Sequence, residues 1–247
     1  MNLILCEPGD VDAHGIVTLT GTQAAHVRGV LHAKPGDTVR IGVVDGARGQ
    51  GEILALDEGR VVLRSELDAT VPPVPDVDLL LALPRPKVLR RLWAQLAAIG
   101  VARIVLTNAS RVERHYFDTH VLEASTYRPL LIEGLQQAGD TRLPQVSIHR
   151  QFRILVEDEL DALSSDGARL VAHPGSHRSL LEVARESQRP RVLLAIGPEG
   201  GWNDFELDLL ARHAFVVVSL GPRVLRTDTA CIALLTLLHE ALRLPPP

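Results

Sequence analysis

The sequence predicts an α/β protein: a mostly parallel sheet with helices on both faces, preceded by a small β-rich unit. Three observations carry this. Residues 1–69 contain short runs of alternating apolar and polar side chains, the period of a half-buried strand. The stretch Thr70-Val71-Pro72-Pro73-Val74-Pro75-Asp76 is stiff, extended and poor in backbone donors, so residues 70–76 read as a linker. From residue 77 to 247, near-continuous apolar runs alternate with helical periodicity, the pattern of parallel strands buried on both sides.

The first unit opens with the strand-like Asn2-Leu3-Ile4-Leu5. It continues through expected strands at Gly15–Leu19, Thr38–Val44, Gly49–Leu56 and Arg60–Leu67, with a short helix over Gln23–Leu31. Such closely spaced strands are the pattern of a small β-barrel. The glycines from Gly46 to Gly51 lie between β-rich segments and predict a hairpin turn. In the second unit strands are expected at Val77–Leu83, Arg103–Leu106, Ala168–Ala172, Val192–Ile196 and Phe215–Ser219. Helices are expected over Val88–Ile99, Thr119–Ala138, from Asn203 to His213, and over Thr227–Leu242. Asn203 with Glu206 three residues on is a capping-box start. The last helix is apolar nearly all round and should be buried on more than one side, against the core or a second subunit.

Composition excludes several classes. The 247 residues are 46% hydrophobic and 23% charged, ordinary for a soluble globular chain. There is no apolar run near 18 residues and no charged-then-apolar start, so a cytoplasmic protein without a membrane partner is expected. Cys6 and Cys231 fall at opposite ends in apolar contexts and predict buried, reduced thiols. The ten histidines form neither H-E-x-x-H nor any paired C-x-x-C pattern, and no metal is expected. A net charge of −4 argues against a generally basic nucleic-acid coat. Locally, however, Pro84 to His115 carries seven basic residues against one acid, Glu113, which suggests a placed site for phosphates. Arg85 and Lys87, in a proline-bracketed loop at a strand end, and Arg111, after another strand, favour a ligand role; Arg90 and Arg91 fit a solvated helix face equally well.

Two loops carry most of the functional information. Gly197-Pro198-Glu199-Gly200-Gly201 follows the apolar run Val192–Ile196, and Leu220-Gly221-Pro222-Arg223-Val224-Leu225-Arg226-Thr227-Asp228-Thr229-Ala230 follows Phe215–Ser219. Ligands of open α/β sheets bind at such strand ends. Glycines there let backbone groups approach a small molecule closely. Neither loop satisfies G-x-G-x-x-G, and no G-x-x-x-x-G-K-[ST] occurs, which removes the main support for nucleotide hydrolysis or a dinucleotide-dependent dehydrogenase. Glu199 would repel a pyrophosphate and suits a cationic ligand or ribose hydroxyls.

Together these loops resemble, almost word for word, those of the ribosomal RNA small subunit methyltransferase E family of the SPOUT superfamily, which makes 3-methyluridine in 16S rRNA. The resemblance implies a deep trefoil knot holding S-adenosylmethionine, a homodimer formed through the C-terminal knot region, and 16S rRNA or the small ribosomal subunit as partner. The first unit resembles the family's PUA-like, RNA-binding barrel through His26-Val27-Arg28-Gly29-Val30-Leu31 and Pro35-Gly36-Asp37. Arg28 is its candidate for RNA contact, with a plain surface arginine as the alternative.

By the same resemblance the cofactor would lie against Ile196, Gly197, Pro198, Glu199, Gly201, Leu220, Gly221, Val224, Leu225, Arg226, Thr229 and Ala230, with His173-Pro174 as a third ligand loop. Uracil N3 is mostly protonated at neutral pH, so the enzyme must stabilise the anion, and an arginine aimed at O2 or O4 does this electrostatically. Arg226 is the first candidate and Arg111 the second; a structural Arg226 capping the preceding strand is the alternative. Glu199 fits better as a ligand-orienting group than as a base. The chain departs from the family at Gln136-Gln137-Ala138-Gly139-Asp140-Thr141-Arg142 and at Pro84-Arg85-Pro86-Lys87. Both are substrate-side positions, which leaves Arg142 to retain an RNA role and the target nucleotide open. A noncatalytic RNA-binding protein and a methyltransferase for another RNA are the competing readings; a small-molecule methyltransferase is disfavoured by the β-rich unit and the basic window.

Overall fold

The computed structural model describes residues 3–164, 167–187 and 189–243, so Asn2 and the Pro245–Pro247 tail lie outside the described residues. Two units emerge: Met1–Val74 with Ile132–Leu143, and Pro75–Leu131 with Pro144–Pro247.

The first unit is built on β1 (Ile4–Cys6), β2 (Ile16–Thr20), helix α1 (Gly21–Gly29), β3 (Thr38–Val43), β4 (Arg48–Leu56) and β5 (Arg60–Leu67). Its strands run in the order β1-β3-β4-β5-β2, and only the β1–β3 pair is parallel. Ile4, Val17, Leu19, Ile41, Ile53, Val61 and Leu63, from alternating strand positions, form the core under α1. The strands curl, but their hydrogen bonds leave β1 and β2 as edges, a half-barrel rather than the closed barrel pattern. The predicted turn over Gly46–Gly51 is shorter: the β3–β4 connection is Val44–Ala47, with Asp45 at φ +56°, and Gly49 already belongs to β4. A Cβ on Gly49 would lie 2.0 Å from the Glu66 carbonyl oxygen, so glycine there permits the close approach of β5.

Ile132–Leu143, which the sequence assigns to the second unit, is fastened to the first by polar bonds. The buried Thr141 donates through Oγ1 to the Gly46 carbonyl at 2.6 Å, and Asp45 N–H donates to the Thr141 carbonyl at 2.8 Å. Arg48 donates to the Gly139 carbonyl at 2.9 Å. Arg142 donates to the carbonyls of Pro72 and Asp45.

In the second unit, β6 (Val77–Ala82), helix α2 (Pro86–Ile99), β7 (Arg103–Thr107), helix α3 (Ala124–Ala138, shared with the first unit) and β8 (Gln145–His149) come first. Short helices α4 (Phe152–Ile154) and α5 (Leu160–Leu163), joined by a π-helical turn at Leu155–Glu159, follow. Then come β9 (Ala168–Ala172), α6 (Leu180–Glu186), β10 (Val192–Ile196), α7 (Asp204–Arg212), β11 (Phe215–Val218) and α8 (Thr227–Arg243). The six strands form one parallel sheet in the order β11-β9-β10-β6-β7-β8. Every residue of β6 and β10 is buried, which means that both faces of the sheet centre are covered. Asp78, fully buried at the start of β6, is held bidentately by Arg191 at 2.7 and 3.0 Å.

Two parts of the expected helix and strand pattern change. The predicted helix from Thr119 begins only at Ala124, because Thr119 and Glu123 are extended and 3₁₀ turns occupy Arg114–Asp118 and His120–Leu122. The edge strand β8 and helix α6 carry too little apolar periodicity to be foreseen. Within the chain, helix α8 buries the stripe Thr227, Cys231, Leu234, Leu235, Leu238 and Ala241 and leaves Ile232 exposed.

Candidate active site

Strand register sets the site. Ala172, the last residue of β9, pairs with Ile196 at the end of β10 and with Val218 at the end of β11. The loops after all three strands therefore leave the sheet at one level. Together with the start of α8 they enclose one open cleft at the strand ends, the usual place for a small-molecule ligand in such a sheet. Of the residues singled out in the sequence, His173, Pro174, Ile196, Gly197, Pro198, Glu199, Gly201, Leu220, Gly221, Val224, Leu225 and Ala230 line it; Arg226 and Thr229 do not. Trp202, Ser219, Arg223 and Thr227 line it without having been foreseen.

The glycine loop is held from several sides. Gly201, at φ +74°, donates its N–H to the Pro198 carbonyl at 2.8 Å. Glu199 accepts the Arg85 N–H at 3.1 Å, which ties the loop to the entry of α2. Arg111 donates to the Gly200 carbonyl and lies so close across the loop that a Cβ on Gly200 would sit 2.8 Å from its Cδ. A Cβ on Gly197 would sit 3.1 Å from the Trp202 indole nitrogen, so the indole packs directly under the loop. That nitrogen is buried and has no hydrogen-bond partner among the described residues, while the ring stacks on Phe152 at 5.4 Å.

Glu206 organises this region. The Asn203 side chain accepts the Glu206 N–H at 2.8 Å and Glu206 Oε2 accepts the Asn203 N–H at 2.9 Å, the reciprocal pair of a capping box. The other carboxylate oxygen, Oε1, accepts the Ser110 N–H at 2.6 Å. One buried carboxylate thus fixes the start of α7, after the glycine loop, to the segment that carries Arg111.

The second loop is self-supporting. Ser219 Oγ accepts the Gly221 N–H at 3.0 Å, with Gly221 at φ +117°. The Leu220, Val224 and Leu225 side chains remain exposed at the cleft, Val224 at 78%. Arg226 accepts the Ala230 N–H at 2.8 Å through its carbonyl and so opens α8, while its side chain is exposed. Thr229 is exposed on the first turn. His173 Nδ1 accepts the Gly175 N–H at 3.1 Å and is turned onto its own loop.

The basic residues divide by partner. Arg91 pairs with Asp228 at 3.0 Å and clamps α2 to the start of α8. Arg103 sits 3.9 Å from Asp78 at the far end of the strands. Arg85, Lys87, Arg111 and Arg114 are exposed, and none pairs with a carboxylate among the described residues. In the first unit, the Arg28 guanidinium donates to the Glu58 carbonyl, and that of Arg142 is held by the two carbonyls named above.

A family model described as an RNA methyltransferase domain matches residues 71–239. The ribosomal RNA small subunit methyltransferase E of Treponema pallidum is 30% identical over 238 residues, covering 94% of this chain and 88% of its own. This chain belongs to that methyltransferase family. The Mycobacterium bovis member is 28% identical over 224 residues, 89% of this chain and 84% of its own. Among solved structures, a family member from Neisseria gonorrhoeae bound to S-adenosyl methionine superposes with a TM-score of 0.79 at 19% identity, covering 97% of each chain. A Legionella pneumophila putative methyltransferase, in complex with the same cofactor, gives 0.76 at 24% identity and 97% of each chain. These two likenesses concern the fold. In this chain, the glycine-loop anchors come from two separate stretches, Arg111 after β7 and Trp202 with Glu206 after β10, that the parallel sheet brings to one strand-end level.

Proposed function

We propose that this protein uses S-adenosylmethionine to methylate N3 of a uridine in small-subunit rRNA. The observation that carries the reading is the cleft: three loops leave the sheet at one level and present backbone groups, a carboxylate and exposed apolar side chains to a single open volume. These residues fit the cofactor. Leu220, Val224 and Leu225 offer apolar surface for an adenine, and they stand exposed without it. Glu199 offers a negative charge to ribose hydroxyls or cationic groups, and Gly201 leaves its side-chain direction open, with only Arg111 Nη1 near, at 3.9 Å. When bound, the cofactor supplies an electrophilic methyl group on a sulfonium.

The chain's own residues then have to hold a uracil and stabilise negative charge on it. Arg226 is exposed at the end of the second loop and its guanidinium has no carboxylate or carbonyl partner among the described residues, so it is available to a uracil oxygen. Arg111 is engaged by the Gly200 carbonyl, which supports a positioning role over a catalytic one. Arg85 and Lys87 flank the start of α2, whose first turn has no acid, and suit phosphates. The half-barrel unit, with Arg28, serves as an RNA-binding module, and the chain works in the cytoplasm. Arg142 acts by fastening its loop to the first unit.

A trefoil knot is part of the same proposal. Support comes from the second loop running beside the residues before α6, where Ser219 donates its N–H to Arg178 at 2.9 Å and Leu180 donates to Ser219 at 3.3 Å. A homodimer is supported by the exposed Leu181, Leu220 and Ile232. Calorimetric titration with S-adenosylmethionine tests the enzyme against a noncatalytic RNA binder: micromolar binding supports the enzyme, and RNA binding without cofactor binding refutes it.

A further inference from the structure

Edge strand β8 carries a polar relay that the cleft does not use. Ser147 and His149 are two residues apart and share one face of the strand, and Ser147 Oγ lies 3.0 Å from His149 Nε2. On the other side of the ring, His149 Nδ1 lies 2.6 Å from Glu159 Oε2. The Glu159 carboxylate only accepts, so in the neutral imidazole the proton sits on Nδ1 and Nε2 accepts the Ser147 hydroxyl. A hydroxyl held to a base whose far nitrogen is fixed by a carboxylate is the order of groups that activates a serine nucleophile. None of the three residues lines the cleft.

The relay is firmly mounted and stands where a ligand can reach it. Glu159 ends the π-helical turn Leu155–Glu159, whose Leu155 and Val156 are buried, as is the following Leu160; single π turns recur at functional sites. His149 is the last residue of β8, at the carboxyl ends of the strands, where open α/β sheets receive ligands. The His149 and Glu159 side chains are 18% and 44% exposed and β8 is a sheet edge, so solvent reaches the relay. Thr107, the register partner of His149 on β7, shares its face, and its fully buried hydroxyl has no hydrogen-bond partner among the described residues. Fastening β8 to the π turn needs only the pair of His149 with Glu159. The contact of Ser147 with His149 lies within one strand and ties no two elements together, so a structural clamp leaves it unexplained.

We propose that Ser147 is an activated nucleophile that hydrolyses small activated carboxylic esters, a second activity separate from methyl transfer. The Ser147 oxygen adds to the ester carbon as its proton passes to His149 Nε2; the ester C–O bond then breaks and the leaving alcohol takes that proton. Water, giving a proton to the same nitrogen, displaces the acyl group as the acid, and the proton returns to the serine oxygen. Glu159 is the positioning residue. The test is reaction with a fluorophosphonate probe, with adducts located by peptide mass spectrometry, alongside hydrolysis of p-nitrophenyl acetate. Both are measured on the folded protein, on the protein in urea, and on Ser147→Ala, His149→Gln and Glu159→Gln, each with its melting temperature. The expected result is a Ser147 adduct in the folded protein only. It should form on the order of 10²-fold more slowly in His149→Gln, the worth of one general base, and more slowly also in Glu159→Gln, where the tautomer is no longer fixed. Ester hydrolysis should fall in parallel. No Ser147 adduct in the folded protein, equal labelling in urea, an unchanged rate in His149→Gln, or ester hydrolysis undiminished in Ser147→Ala overturns the proposal. The comparison of folded protein with urea needs no substitution, so it decides the matter where a variant unfolds.

Discussion

Replacing Glu206 with alanine tests how the site is held together. The carboxylate is 3% exposed and accepts two backbone N–H groups, Ser110 at 2.6 Å and Asn203 at 2.9 Å. Truncation leaves both donors without acceptors, at about 1–3 kcal/mol each. Ser110 is itself exposed, so water satisfies part of its loss, and the sum should fall near ~3 kcal/mol. Glu206→Gln keeps one acceptor oxygen and should cost about half as much. In urea unfolding, with a slope of roughly 3 kcal/mol/M, Glu206→Ala should lower the midpoint by about 1 M at unchanged slope. Because the same carboxylate anchors the Arg111 segment over the glycine loop, cofactor affinity should fall as well, measured where the variant is still folded. A stability loss below about 1 kcal/mol would refute the reasoning, since it would mean that these bonds contribute no more than exposed ones.

Gly201→Val should abolish cofactor binding, because φ +74° is strained for any β-branched residue and the loop that would have to shift lines the cleft; unchanged affinity in calorimetry with an intact fold would contradict the assignment. Arg226→Ala should leave cofactor affinity within a few fold while lowering the single-turnover methylation rate at saturating RNA by about 10²- to 10³-fold. Burial pushes the Cys6 thiol up to about 12 and raises that of Cys231 as well, so a thiol reagent should find neither in the folded protein and both after denaturation. His239 is held below its ordinary 6.5 chiefly by burial, with Arg243 adding to the effect and the Gly100 backbone and Asp76 opposing it. The unfolded chain therefore takes up this proton first. Stability should be flat above pH 6.5 on its account and decline as pH falls through the lower folded value, and melting curves of His239→Gln should lack that decline.

How legible each element was depended on whether its signal was local. Strand β10 is a continuous apolar run and β9 one interrupted only by Arg169, and their expected limits coincide with those observed. Asn203 and Glu206 announced the start of α7 from spacing alone, yet the bond from Glu206 to Ser110 joins residues far apart in sequence and has no local trace. Trp202 could have been suspected from its place directly after the two glycines, since a Cβ at Gly197 would strike it. Ser219 reads as the end of a strand, and only the geometry shows its hydroxyl gripping Gly221. The attachment of Ile132–Leu143 to the first unit was illegible because it rests on Arg48, Thr141 and Arg142 meeting distant backbone carbonyls, bonds that leave no hydrophobic period. Helix α8 is apolar all round in composition, and burial within one chain follows the stripe from Thr227 through Ala241, which its period alone marks.

The central claim is methyl transfer to N3 of a uridine in small-subunit rRNA. Purified protein, S-adenosylmethionine carrying an isotopically labelled methyl group, and small ribosomal subunits from a strain lacking this protein should be combined, and the rRNA digested to nucleosides for mass spectrometry. Labelled 3-methyluridine, formed about 10²- to 10³-fold more slowly when Arg226→Ala replaces the unsubstituted protein under single-turnover conditions, is the result the account predicts. Label on another nucleoside, or none with cofactor bound and RNA saturating, would contradict it.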